Sequence, residues 1–522
     1  MGHARRPRRR HEPCGPTPSE PVGARCHSRR GGHGEEGANS APVDRQWRTS
    51  QKTVSCFPGR ATIAALALLG VCIAGPGDGR AQPPAGLTCQ KPLPPEGHVT
   101  SNPIACNVSC ANGGTVASAL ALAPRTTAGL TISIKGTCVE AVDQVPSHVT
   151  LQGALSGDGL QAPAASSNPV LGISGAGVTL DNLAISGGVN ALLVRSGAVA
   201  VGNNLVIEGS STRNVLANGV ITLNSSTIEN SKGDGIAALS GGIVFLNGGA
   251  VQNNSRGILI GNGSYVDAFG GALISANTAG HGVDDTGSLS IIAATIEGNS
   301  PNGIFVGNGG NAFIASSGVV RSNARDGVQV FSGTVRLAGG VISDNARHGI
   351  SVFNSGTAIL DTGAVVASNA ANGVLVEDGT VNVGNGDGSA TIQSNPANGI
   401  YLKTNSVGVF NNNGNKIISN SGWGILCDGP PANPLIAIGP AANTIGTVSG
   451  NAAGQISCNT APYGDTIEIV AVAEGGPPRH RIRMLCVMSP TPLSFVRWQP
   501  ACPDRRDFGL QSDRAVLDPV AH

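Results

Sequence analysis

The feature that most constrains the fold is a motif that returns every 21 to 26 residues. An Ile or Val precedes an Asn, and a Gly followed by Ile or Val comes four or five positions later; nine copies lie between Asn230 and Ile425. Each copy has room for two or three short alternating strands separated by Asn, Gly and Ser, and none for a helix. Such strands cannot bury an apolar face alone, so neighbouring copies must stack.

The composition agrees with a stacked all-β chain. Gly accounts for 76 of 522 residues, charged residues for only 12% and aromatic residues for 3%. A coiled coil needs many more charges, and no strict Gly-x-y triplet of collagen is present.

The motif and its coil length resemble the right-handed parallel β-helix repeat superfamily, which includes pectate-lyase-like and polygalacturonase-like folds. The resemblance covers roughly residues 115–470 and implies about 14 or 15 coils. It implies stacked Asn amides at the bends, and motif glycines with positive φ or a close approach between coils. Residues 115–123 predict a short amphipathic helix, ended by Pro124, in an N-terminal cap.

The two ends of the chain differ from the repeats. Residues 61–75 are apolar, follow Arg60 and precede a small-residue site that ends at Ala81, as in a secretory signal peptide. We therefore expect translation to start near Val54, or else a basic N-terminal arm that binds nucleic acid. The predicted segments are a basic arm (1–53), a signal peptide (54–81), a Cys-containing cap (82–148), the β-helix (149–476) and a disordered tail (477–522).

Residues 61–476 carry 14 Lys and Arg against 23 Asp and Glu, a net charge of −9. An acidic body disfavours nucleic acid as a partner. Beyond the signal peptide we expect no membrane span, a secreted or cell-envelope location and a monomer.

Six Cys flank the repeats, and an export signal favours disulfides over a zinc site. We expect Cys427 to pair with Cys458. The pairing of the other four is open: Cys89, Cys106, Cys110 and Cys138.

Candidate site residues come from the position directly before each motif Gly. The sequence suggests no structural role for this position. We call these residues the pre-glycine row: Asp234, Arg256, His281, Asn302, Asp326, His348, Asn372, Asn398 and Trp423. The outward residue of the following strand predicts a second row: Ala237, Leu259, Asp284, Phe305, Gln329, Ser351, Leu375, Tyr401 and Leu426.

Together the rows bring one cluster of Arg256, His281, Asp284 and Asp285 to the surface of the β-helix. They bring a second cluster of Arg325, Asp326, Arg347 and His348 a few coils further on. His, Arg and carboxylates beside an extended groove are what glycan hydrolysis or elimination requires. The candidate catalytic residues are His281, Asp284 and Arg256.

The resemblance implies further motifs, and most of them are missing. Gly280-His281-Gly282 matches the G-H-G of polygalacturonases, but Asp284-Asp285 follows that His instead of preceding it, and no R-I-K comes on the next coil. The superfamily also includes uronate epimerases, but their string D-P-H-D is absent from this sequence. Asp284-Asp285 and residues 385–388 are the two places considered for calcium, but no metal site and no cofactor is predicted.

Aromatic side chains are the candidate ligand-binding residues, together with two polar ones. These residues are Phe305, Tyr401, Trp423, His348 and Asp326, with Phe331 and Phe353 at neighbouring equivalent positions. The favoured function is binding of a polysaccharide or another cell-envelope partner along the side of the β-helix. The alternatives are a polysaccharide lyase or glycoside hydrolase, and a structural or adhesive rod.

Overall fold

A computed structural model describes residues 85–90, 93–94, 96–164, 166–384, 388–428, 434–438 and 445–458. By internal contacts the chain divides into Met1–Gly79 and Arg80–His522, and all described residues belong to the second unit. The predicted basic arm, signal peptide, calcium-like residues 385–387 and C-terminal tail lie outside the described residues.

The described chain is a parallel β-helix, as predicted, with three strands in each coil and 14 third strands. Each strand pairs in parallel with its equivalent one coil along. The first strands are Val142–Val145, Leu171–Ile173, Asn190–Val194, Arg213–Ala217, Asp234–Ala238, Arg256–Ile260, Val283–Asp285, Ile304–Gly307, Val328–Phe331, Ile400–Leu402, Trp423–Cys427 and Gly454–Cys458.

The second strands continue each coil after a short bend. In two coils the first and second strands merge into one, Ile350–Leu360 and Val374–Val383. The separate second strands are Ile104–Ser109, Leu130–Lys135, Val149–Gly153, Ala176–Asp181, Val199–Asn203, Val220–Asn224, Ile243–Asn247, Tyr265–Phe269, Ser288–Ile292, Asn311–Ala315, Thr334–Ala338, Val407–Phe410 and Leu435–Ile438.

The third strands are three residues long and precede the motif Asn. They are Thr137–Val139, Gly159–Gln161, Ala184–Ser186, Val206–Glu208, Thr227–Glu229, Ala250–Gln252, Leu273–Ser275, Thr295–Glu297, Val319–Arg321, Val341–Ser343, Val365–Ala367, Thr391–Gln393, Lys416–Ile418 and Thr447–Ser449.

The core is a set of aliphatic columns inside the coils. Ile258, Val283 and Ile304 lie in register one above another, and each is fully buried. Burying one such side chain contributes about 1.5–3 kcal/mol. Because the columns continue through every coil, the coils share one core and no separate globular core is needed.

A ladder of hydrogen-bonded asparagine side chains joins the coils, as predicted. In two coils the ladder position is one residue after the motif Asn. Asn230 and Asn253 have left-handed φ values of 61° and 56°. Their neighbours Ser231 and Asn254 occupy the ladder position. The nine ladder amides are those of Asn254, Asn277, Asn299, Asn323, Asn345, Asn369, Asn395, Asn420 and Asn451.

Each ladder amide satisfies groups in neighbouring coils. Asn345 Oδ1 accepts the backbone N–H of Asn323 at 3.1 Å and its Nδ2 at 2.9 Å. Asn345 Nδ2 donates to the carbonyl of Val320 at 3.3 Å and to Asn369 Oδ1 at 2.9 Å. A buried bend is thereby left with few unpaired polar groups.

The motif glycines allow close packing of coils. A Cβ on Gly327 would lie 2.6 Å from Asn345 Nδ2 and 2.8 Å from the carbonyl oxygen of Gly349. Positive φ, the other predicted role, is wrong for this position, because no motif glycine between Gly235 and Gly424 has it. The left-handed residue instead precedes the ladder position.

The N-terminal end is covered by helical turns and one antiparallel strand. The helix predicted over residues 115–123 is present but shorter, Val116–Leu120, and is flanked by the 3-10 turns Cys110–Asn112 and Ala123–Arg125. Leu87–Cys89 pairs antiparallel with Ile104–Ser109. The antiparallel strand covers a strand edge that would otherwise be open, and the helix packs Val116, Ala119 and Leu120 onto the core.

Three disulfides join neighbouring elements at the two ends. Cys427 pairs with Cys458, as predicted. The pairings that the sequence left open are Cys89–Cys106 and Cys110–Cys138.

Candidate functional site

The first strands carry the predicted second row in the predicted register, but its members Ala237, Ser351 and Leu375 are buried. Asp284 pairs with Leu259 on one side and with Phe305 on the other, and the row continues to Tyr401 and Leu426. We call the outward side chains of the first strands, from Arg256 to Trp423, the lateral face. Consecutive coils along it lie about 4.8 Å apart.

Arg256 connects three coils of this face. Its guanidinium lies 2.8 Å from Asp234 Oδ1 and 2.7 Å from Asp284 Oδ2, and Arg213 also reaches Asp234, at 3.3 Å. The Asp234 side chain is only 8% exposed, so its charge requires these cations. Arg256 and Asp284, two of the three candidate catalytic residues, therefore already neutralise each other.

His281, the third candidate, lies against an aromatic ring. Its imidazole stacks on Phe305, with ring centroids 5.0 Å apart and planes inclined by 12°. Nδ1 of His281 is buried and has no hydrogen-bond partner. Burial lowers the pKa of His281, against an opposing effect of the Asp284 charge. The imidazole is therefore neutral near pH 7 and has one nitrogen unused.

Asp285 does not join this cluster, although the sequence analysis placed it there. Strand alternation directs Asp284 outward and Asp285 into the core, between Ile260 and Val306. One oxygen accepts the N–H of Gly287 at 2.9 Å, and the other has no partner. Burial raises the pKa of Asp285 to about 7. The pair considered for calcium thus points to opposite sides of its strand.

The second predicted cluster forms around a buried carboxylate. Asp326 is fully buried and accepts hydrogen bonds from the guanidinium of Arg347, from Ser351 Oγ at 2.8 Å and from the N–H of His348 at 3.2 Å. Asp326 itself cannot touch a ligand in this arrangement. It positions Arg347, a member of the predicted cluster whose side chain is 33% exposed.

The pre-glycine row has a structural role that the sequence analysis missed. In five successive steps the side chain of one member accepts the backbone N–H of the next: Asn302 to Asp326, Asp326 to His348, His348 to Asn372, Asn372 to Asn398 and Asn398 to Trp423. These N–H groups belong to residues just before the regularly paired part of each strand. They therefore need acceptors other than the carbonyls of the strand ladder. The assumption that nothing structural fixes this position is therefore wrong.

The row also determines the tautomer of His348. Its Nδ1 accepts the Asn372 N–H at 3.2 Å, so the ring proton is on Nε2. Burial lowers the pKa of His348, partly opposed by Asp326. His348 is thus a neutral hydrogen-bond donor at the surface.

Aromatic side chains follow the lateral face over several coils. Phe331 is 41% exposed and is in register with the half-buried Phe353. Tyr401 donates its hydroxyl to Asp428 at 2.8 Å, and burial with this bond raises its pKa to about 12. Lys403 Nζ lies 5.6 Å from the centre of the Tyr401 ring.

Two further lateral residues are engaged within the protein. The Lys403 ammonium lies 3.2 Å from Glu377, at the equivalent position one coil earlier. The half-buried ring of Trp423 packs on the backbone of Gly454 in the last coil.

The lateral face is open, and the two best-formed hollows of the described residues lie elsewhere. Two hollows of about 240 and 270 Å³ lie near the N-terminal cap, one beside His148 and Gly177, the other beside Cys138 and Glu140. Neither includes a lateral-face residue. Within the described residues, no three His, Cys, Asp or Glu side chains converge as metal ligands.

By sequence, no family model and no curated protein matches the chain. Solved structures with a similar backbone fold include the A-module of mannuronan C-5 epimerase AlgE4 from Azotobacter vinelandii. It is 14% identical with a TM-score of 0.35, and the match covers 62% of this chain and 95% of that one. The periplasmic alginate epimerase AlgG has 12% identity and a TM-score of 0.32, covering 68% and 84%.

A third similar structure is the tailspike receptor-binding protein of bacteriophage Det7, at 12% identity and a TM-score of 0.37, covering 66% of this chain and 78% of that one. Likenesses this weak transfer neither a site nor an activity. Across the described part of the chain, no helix has the length and apolar character needed to cross a membrane.

Proposed function

We propose that this chain is an exported protein that binds a polysaccharide along its lateral face, without catalysis. The observation that carries the proposal is the set of aromatic rings on this open face, interrupted only in the coil of Val374–Val383, with hydrogen-bonding side chains beside them. Phe305, Phe331, Phe353 and Tyr401 offer apolar faces to the C–H side of sugar rings. A spacing of about 4.8 Å between coils suits an extended chain of repeating units.

The charge arrangement supports binding rather than catalysis. Arg256 lies between two carboxylates, and Asp326 is covered by its partners. A catalytic acid or base needs a free group within hydrogen-bond reach of the reacting atom. The three disulfides support an oxidising compartment and therefore export.

The test is binding of the mature protein to panels of neutral glycans and uronans by titration calorimetry. We expect Phe331→Ala and Tyr401→Ala each to weaken binding. Leu155→Ala, at an apolar side chain that is 67% exposed and outside this face, should not change it. No binding to any glycan would refute the proposal and favour a structural or adhesive rod.

A polysaccharide lyase or glycoside hydrolase is the second candidate, because His281 has an unpartnered nitrogen close to Asp284. The same panels are followed for new reducing ends and unsaturated products. Turnover that His281→Ala abolishes would establish catalysis and overturn the binding-only proposal.

A further inference from the structure

A second candidate surface lies on the second strands, and its side chains form one row in register. From coil to coil this row reads Phe245, Asp267, Ser290, Phe313 and Arg336. All five side chains belong to outward positions, because the residues on either side of each one are buried or begin a bend. The step from Phe245 to Phe313 covers three coils, or about 14 Å.

Aromatic rings stand at both ends of this row. Phe245 makes an edge-to-face contact with Tyr265, with ring centroids 6.3 Å apart. At the other end, the Arg336 guanidinium lies 5.7 Å from the centre of the Phe313 ring. The two polar residues between them, Asp267 and Ser290, have shorter side chains. The surface is therefore a saddle with a polar floor between aromatic ends; we call it the second-strand saddle.

The floor contains an unused hydrogen-bond acceptor. Oδ1 of Asp267 is buried and has no partner, and no ion pair of the described residues involves Asp267. Burial raises the pKa of the Tyr265 hydroxyl beside this floor, and the charge of the neighbouring Asp267 raises it further. Leaving a buried acceptor unpaired is unfavourable, and a hydroxyl donated by a ligand would remove that cost.

The charges decide which class of ligand fits. Arg336 is neutralised by Asp361, whose side chain is 3% exposed, at 2.6 Å. Asp267 therefore leaves the saddle with one net negative charge. Such a floor accepts hydrogen bonds from hydroxyl groups and repels carboxylates.

We propose that the second-strand saddle binds a short neutral oligosaccharide. Its hydroxyls donate to Asp267 and pair with Ser290, while its C–H faces pack on Tyr265 and Phe313. Uronate sugars are excluded by the Asp267 charge. The site is separate from the lateral face and does not depend on the function proposed for it.

The experiment uses the mature protein with the lateral face disabled by Phe331→Ala and Tyr401→Ala together. The probes are neutral gluco-, galacto- and manno-oligosaccharides, with oligogalacturonate as the acidic comparator, in titration calorimetry. Adding Phe313→Ala should weaken binding of a neutral oligosaccharide about tenfold. Thr222→Ala, in the same row one coil before Phe245, is the control and should not change it.

A second variant tests the charge argument independently of aromatic packing. Asp267→Asn keeps the shape of the side chain but removes its charge, so oligogalacturonate should bind this variant more tightly than the parent. Thermal melts check that every variant remains folded.

Three outcomes would overturn the proposal. One is the absence of neutral-sugar binding in the background with the disabled lateral face. Another is equal affinity of the parent and the Phe313→Ala variant. The third is binding of oligogalacturonate that Asp267→Asn leaves unchanged. Loss of glycan binding through the lateral face alone would instead count against the function proposed above.

Discussion

The buried carboxyl of Asp285 makes the stability of the β-helix depend on pH. It occupies the core column between Ile260 and Val306, where other coils have aliphatic side chains. The raised pKa of Asp285, about 7 against an ordinary 3.8, means that the folded chain holds its proton where the unfolded chain releases it. The stabilising contribution is complete below about pH 4 and is lost as the pH rises through about 7.

The size of the effect follows from the two pKa values. At about 1.4 kcal/mol for each tenfold change in proton affinity, the span from 3.8 to about 7 corresponds to about 4 kcal/mol. His281 and His348 act in the opposite sense, because their lowered pKa values destabilise the folded chain below about pH 6.5. A comparison of variants at each pH therefore isolates Asp285.

The assay is urea unfolding followed by circular dichroism at about pH 5 and about pH 8. Relative to the parent, Asp285→Asn should have a larger free energy of unfolding at the higher pH. Its free energy of unfolding should also lack the part of the pH dependence that Asp285 causes. Asp285→Val should gain about 3 kcal/mol there, because it removes the charge but loses the bond to Gly287. Asp378→Asn, at an exposed carboxylate away from Asp285, is the control. A parent and an Asp285→Asn variant with the same pH dependence would refute the reasoning.

Three further predictions concern the contacts between coils. Asn345→Ala should cost about 2–4 kcal/mol, measured by urea unfolding, since it leaves buried groups of two neighbouring coils unpaired. Gly327→Ala should lower the melting temperature and cost about 1–3 kcal/mol, because its Cβ would clash with Asn345 Nδ2 and the Gly349 carbonyl. Replacing Cys427 and Cys458 by Ser should cost about 3–4 kcal/mol for a 31-residue separation and speed hydrogen exchange in the last coils.

Each of these has an outcome that contradicts it. Asn311→Ala, at an exposed asparagine outside the ladder, is the control for the ladder variant, and equal losses in the two would contradict the ladder argument. An unchanged melting temperature for Gly327→Ala would mean that the coils move apart without cost. Faster exchange throughout the β-helix in the Cys variant, instead of only near its end, would contradict a local role for that disulfide.

The sequence predicted the fold because the periodicity of Ile and Val reports the core directly. Ile258, Val283 and Ile304 lie one above another, as their equivalent positions in the motif required. The exact ladder positions were harder to predict from the sequence. In Asn253-Asn254 either amide fits the motif, and only the backbone shows that the first adopts the left-handed conformation.

The candidate site was predicted less well, for physical reasons that can be named. Strand alternation alone could have assigned Asp285 to the core. The capping role of His348 was not visible, because it depends on an N–H from the next coil that the sequence does not locate. The row from Phe245 to Arg336 escaped notice because the motif does not include the second strand.

The repeated contact between one ladder amide and the next leaves the number of coils free to vary. Gly327 and Gly349 occupy equivalent places 22 residues apart, so excising 328–349 would join matching backbones and allow Asn323 to meet Asn369. Inserting a single residue into one strand would instead turn every following side chain of that strand inside out. A chain built in this way can gain or lose whole coils, and so lengthen or shorten its surface, while its cross-section stays the same.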